Sequence, residues 1–120
     1  MPKVLIVDDT AFMRLSIRTM LENNGLEIVG EAENGRIAIK KYAETQPDVV
    51  TMDITMPEMS GIEALSAIRK YDPNAKVVIV SAMGQESLVK EAIMKGAISF
   101  IVKPFKEQDI VQTIKQVAGM

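Results

Sequence analysis

Three features of this 120-residue chain predict an α/β fold, a five-stranded parallel sheet with helices on both faces. Short apolar runs recur five times at roughly even spacing. The first, third and fourth are nearly continuous Val, Ile and Leu, as strands buried on both faces of a parallel sheet read. The stretches between them carry helical periodicity, and regular β-α alternation favours a parallel sheet covered on both sides.

The elements follow in order. "KVLIV" (3–7) predicts strand one, and Met13, Ile17, Met20 and Leu21 predict a helix that stops at "NNG". "EIVGEA" (27–32) is strand two, placed at a sheet edge because Gly30 and its acids interrupt the apolar run. Ile39, Tyr42 and Ala43 form the next helical face, ending before Pro47. "DVVTM" (48–52) is strand three, followed after "MSG" by a helix with Ile62, Leu65 and Ile68 inward. "KVVIVSA" (76–82) is strand four, and Leu88, Ala92 and Ile93 predict a helix that Gly96 stops. "ISFIV" (98–102) is strand five, and Ile110, Ile114, Val117 and Ala118 line the last helix. No linker composition appears, so residues 1–120 are expected to form one domain.

Composition removes several function classes. A net charge of −2 lacks the basic footprint of a nucleic-acid binder. No apolar stretch reaches the ~18 residues of a membrane span, and "MPKVLIVDD" lacks the layout of a secretory signal. A cytoplasmic protein is expected. With no cysteine there is no thiolate chemistry, and with no histidine there is no imidazole base and no internal phosphohistidine. Most of the nine methionines are expected to pack, with Met56 and Met59 partly exposed in a loop.

Ligand sites in open α/β sheets lie beyond the carboxyl ends of the strands, at the point where strand order reverses. Those ends carry Asp8 and Asp9, Asp53, Ser81, and Lys103 before Pro104. Taken singly, each has a structural explanation: Asp9 or Ser81 as a helix cap, Lys103-Pro104 as a turn. Together they gather three carboxylates, a hydroxyl and an ammonium on one surface. One like-charge pair at 4 Å costs about 1 kcal/mol in water and about 4 at an effective dielectric of 20. A cation would offset that repulsion, and an all-oxygen site suits Mg²⁺ or Mn²⁺ over Zn²⁺.

The set "VDD" (7–9), "MDITMP" (52–57) with Gly61, "SA" (81–82) and "KPF" (103–105) resembles the receiver domain of two-component response regulators over the whole length. More narrowly, "VDDTAFMR", "TMDITMPEMSG", "SAMGQ" and "FIVKPF" look like the single-domain chemotaxis regulators of Gram-positive and thermophilic bacteria. The resemblance implies a flavodoxin-like sheet in the order 2-1-3-4-5 and a cis Lys103–Pro104 bond. It implies Asp53 as phosphoacceptor, and Mg²⁺ held by Asp9 directly, by Asp8 mainly through water, by Asp53, and by the Thr55 main-chain carbonyl. Ser81 and Lys103 would hold the phosphoryl oxygens, with Thr55 and Met83 flanking the group.

The same resemblance implies a switch in which Ser81 moves toward the phosphoryl group and Phe100 turns inward. Phe100 reads equally well as an ordinary edge-strand core residue. The expected partners are a CheA-like histidine kinase, a flagellar motor switch protein and a phosphatase. The output face would include Val89, Lys90, Phe100 and Lys106, and the chain would act as a monomer. It would promote its own phosphorylation and dephosphorylation without turning over an independent substrate. A phosphorelay shuttle of another pathway is the alternative. A flavodoxin would need a hydroxyl- and glycine-rich loop where "VDDT" stands. An aspartyl phosphatase would need an acid where Thr55 stands. A non-phosphorylated interaction module would typically lose an acid or the lysine, and all are present.

Overall fold

A computed structural model describes residues 1–119. The order is β1 (Lys3–Val7), α1 (Ala11–Glu22), β2 (Glu27–Ala32), α2 (Gly35–Thr45), β3 (Val49–Asp53), α3 (Gly61–Tyr71), β4 (Val77–Ala82), α4 (Glu86–Met94), β5 (Ser99–Lys103) and α5 (Glu107–Val117). All strand pairs are parallel, and the sheet runs β2-β1-β3-β4-β5. Strands three and five lie one residue later than the apolar runs suggested, because Asp53 and Lys103 still pair at their ends. The interrupted second run is indeed an edge strand.

Strand order dictates where the helices lie. The step from β1 to β2 runs one way along the sheet, and every later step runs the other way. Right-handed crossovers therefore place α1 on one face and α2, α3 and α4 on the opposite face. Alternating strand residues serve the two faces. Leu5, Val7, Val50, Met52, Val77 and Ile79 pack under α2–α4, with Ala38, Leu65, Ile68 and Ala92. Val4, Ile6, Val49, Val78 and Ile101 pack under α1 and α5, with Ile17, Leu21, Ile110 and Ile114. The reversal falls between β1 and β3, in the middle of the sheet.

Some side chains depart from the periodic reading. Ala43 and Ile93 lie on the solvent side of their helices, and α4 buries Val89 beside the expected Ala92. Lying toward the β5 edge, α4 has less sheet to cover, so one apolar row is left over. Met56 is buried in the α2–α4 core and Met59 packs against it, while Met83 and Met94 are exposed.

The start of α3 is fixed to the end of β3. Ser60 and Glu63 form a capping box at the helix N-terminus, and the Gly61 N–H donates to the Ile54 carbonyl at 2.7 Å. A Cβ on Gly61 would stand 2.0 Å from the Asp53 carbonyl oxygen, so only glycine fits. No helix among the described residues is long and apolar enough to cross a membrane.

Candidate functional site

The reversal point brings Asp8, Asp9 and Asp53 together. One carboxylate oxygen from each lies within 4.8 Å of the others. Asp8 and Asp53 are buried, and Asp9 is exposed at the rim. Asp9 does not cap α1. Thr10 does, its hydroxyl accepting from the Met13 N–H, which leaves the Asp9 carboxylate free to face its neighbours. Ser81 does not cap α4 either, because it lies inside β4 four residues before Gln85 at the cap.

Asp8 is held from several directions. Its Oδ1 accepts from the Thr10 N–H at 2.9 Å and the Thr10 hydroxyl at 3.0 Å. Arg14 Nη1 donates to its carbonyl at 2.6 Å. Lys103 Nζ lies 3.1 Å from Asp8 Oδ2 and 3.7 Å from Asp53 Oδ1. The ammonium thus bridges two of the three acids. The Lys103–Pro104 bond next to it is cis.

One ammonium does not neutralise three carboxylates. Burial pushes the Asp53 carboxyl up to about 6; Lys103 opposes the rise, and Asp8 and Asp9 add to it. The residues present fit a divalent cation: the donors are oxygens, they converge, and their mutual repulsion falls when positive charge arrives. Thr55 is exposed in the loop after β3, two residues past Asp53.

Ser81 is fully buried, and its hydroxyl has no hydrogen-bond partner among the described residues. A buried hydroxyl left unbonded is unusual and invites a reason. Phe100 is 49% exposed rather than packed as core. With Val102 it lines an apolar groove of about 630 Å³ beside α4, which Ser81, Val89, Lys90 and Ile93 also border. Lys106 stands apart from that groove, at the N-cap of α5.

Sequence reading missed Gln85. Its carboxamide accepts from the Ala82 N–H at 2.7 Å and donates to the Thr55 hydroxyl at 3.0 Å, joining the loops after β4 and β3. The contact spans 30 residues, and no local pattern announces it.

Residues 4–115 match the response regulator receiver domain family. The chain is 54% identical over 116 residues to the chemotaxis protein CheY of Thermotoga maritima, covering 97% of each. It is 54% identical over 114 residues to CheY of Bacillus subtilis, covering 95% of each. A chain in the crystal structure of the CheX–CheY–BeF3–Mg²⁺ complex from Borrelia burgdorferi superposes with a TM-score of 0.91. That match has 42% identity and covers 96% of this chain and 87% of that one. The acids at the strand reversal, the lysine that bridges two of them and these full-length similarities agree: the chain belongs to the response regulator receiver domain family.

Proposed function

We propose that this chain is a phosphorylation-driven switch of bacterial chemotaxis, working in the cytoplasm and accepting a phosphoryl group on Asp53. The observation that carries the reading is the juxtaposition of Asp53 with Asp8, Asp9 and Lys103 beside an unpartnered Ser81 hydroxyl. Mg²⁺ is the expected cation, held by Asp9, Asp53 and the Thr55 carbonyl, with Asp8 acting mainly through water. When bound it neutralises charge on the phosphoryl oxygens and on the carboxylates.

The chain's own groups do the rest. An Asp53 carboxylate oxygen attacks phosphorus in line, and the P–N bond to a donor phosphohistidine breaks. The imidazole leaves with the electron pair and takes up a proton. Since the chain has no histidine, the donor belongs to a partner, a CheA-like histidine kinase. Phosphoryl transfer asks the protein for positioning and charge neutralisation. Lys103 supplies a fixed ammonium at one phosphoryl oxygen, and Ser81 donates its hydroxyl to another.

Signalling follows as a population shift. When Ser81 moves toward the phosphoryl group, the space behind it opens to Phe100, which borders the same groove. The surface of α4 and β5 then changes shape and with it the affinity for a target, a flagellar motor switch protein. A phosphatase resets the monomer. Incubation with Mg²⁺ and acetyl phosphate tests the reading: intact mass should show one added phosphoryl group, lost with EDTA and in Asp53→Asn. An Asp53→Asn chain phosphorylated as readily as the parent would overturn it.

A further inference from the structure

Helix α4 begins in an unusual way. Gln85 occupies its N-cap position, yet its side chain bonds none of the helix's first-turn amides, as Ser, Thr, Asn or Asp would. It turns instead across the site. Its Oε1 takes the Ala82 N–H and its Nε2 takes the Thr55 hydroxyl.

Both groups lie next to the chemistry. Ala82 follows Ser81, and Thr55 stands two residues after Asp53. Because one small carboxamide touches both, the Ala82 N–H must point toward the β3 side, where Asp53 ends its strand. A phosphoryl group on Asp53 brings three strong acceptor oxygens. Lys103 Nζ stands 3.7 Å from the Asp53 carboxylate on one side. An oxygen directed toward β4 meets two donors, the free Ser81 hydroxyl and the Ala82 N–H, and Gln85 occupies the second.

We propose that Gln85 is a positioning residue, a latch whose carboxamide holds the Ala82 N–H and the Thr55 hydroxyl until a phosphoryl oxygen displaces it. The latch rests on Asp53 being the phosphoacceptor. A ligand shifts an equilibrium only by its differential affinity for the two states. A latch made only in the unphosphorylated state opposes phosphoryl binding. Removing them leaves the Ala82 N–H waiting and lets the β4–α4 loop close at lower cost.

Beryllofluoride with Mg²⁺, a phosphoryl mimic, supplies the test. Its affinity is measured by NMR titration of the parent, Gln85→Ala and Gln85→Met, the last keeping chain length without the amide. Both variants should bind about threefold to tenfold more tightly, the weight of one released hydrogen bond. Before any mimic is added, their Ala82 amide resonance should leave the parent's free position. A structural role alone would shift the unfolding midpoint and leave the mimic's affinity unchanged. If the parent binds the mimic and both variants match it within twofold, or bind more weakly, the latch is wrong. If the parent does not bind at all, the phosphoacceptor reading fails and the latch falls with it.

Discussion

The two ends of the sheet use the same strands and treat polar groups in opposite ways. At the amino-terminal ends, donors and acceptors close on one another. The Lys3 N–H meets Asp48 Oδ2 at 2.7 Å, and the Asp48 N–H returns to the Lys3 carbonyl at 2.8 Å. Nearby, the Tyr42 hydroxyl donates to Asp72 at 2.7 Å, tying the last turns of α2 and α3 together. At the carboxyl-terminal ends three acids converge, one ammonium reaches two of them, and a buried hydroxyl has no partner. The first end is satisfied by the chain alone. The second is left unsatisfied by the chain alone, and its unrelieved repulsion gives up some stability.

Four substitutions break or sharpen that contrast, taken from the largest effect to the smallest. Gly61→Ala drives a Cβ into the Asp53 carbonyl and should cost about 3 kcal/mol or more. Urea unfolding would measure it, and the phosphorylation rate should fall with it because the acceptor moves.

Asp53→Asn should do the reverse in the absence of metal. A carboxyl whose folded pKa, about 6, lies above its unfolded value destabilises the fold as pH rises through that window. The penalty is absent below pH ~4 and complete above pH ~6. The variant should gain on the order of 2 kcal/mol at pH 7 and nothing at pH 4. Adding Mg²⁺ should stabilise the parent and erase the advantage. Unchanged stability at pH 7 would mean that the acids do not strain the free protein.

At the satisfied end, Tyr42→Phe removes one hydroxyl and should cost about 1 kcal/mol. The hydrogen bond holds the Asp72 carboxyl below its usual range. A group with a lowered folded pKa contributes stability at neutral pH that fades as pH falls, so the gap between variant and parent should narrow in acid. Mimic affinity should not change. Last, Val102→Asp on the exposed groove wall should alter stability by less than about 0.5 kcal/mol. It should leave phosphorylation intact and weaken capture of the target after phosphorylation, measured by co-sedimentation with the motor switch protein.

Much of the satisfied half was readable in advance, because burial on both faces writes itself as continuous runs such as "VLIV" and "VVIV". The cluster at the strand ends was readable as well, since a strand-end rule gathers Asp8, Asp9, Asp53, Ser81 and Lys103 from the sequence alone. Local choices between neighbours were not. Thr10 and Asp9 are both capable caps, and only the backbone path decides that Thr10 takes the amide. Periodicity put Ile93 inward, but α4 buries only Val89 and Ala92. Gln85 stayed hidden because its partners lie in two other loops, and hydrogen bonds between loops leave no periodic trace.

The groove that leaves Phe100 half in water has a practical consequence for observing the molecule. The chain contains three phenylalanines and no tryptophan. Phe100 lines the groove, Phe12 is exposed on the first turns of α1, and Phe105 follows the cis proline beside Lys103. Phe12 and Phe100 are exposed, and Phe105 packs partly buried against the core under α1 and α5. Fluorophenylalanine incorporation would therefore give three ¹⁹F resonances, two of them from solvent-exposed rings. The Phe100 resonance would report directly on the groove beside α4.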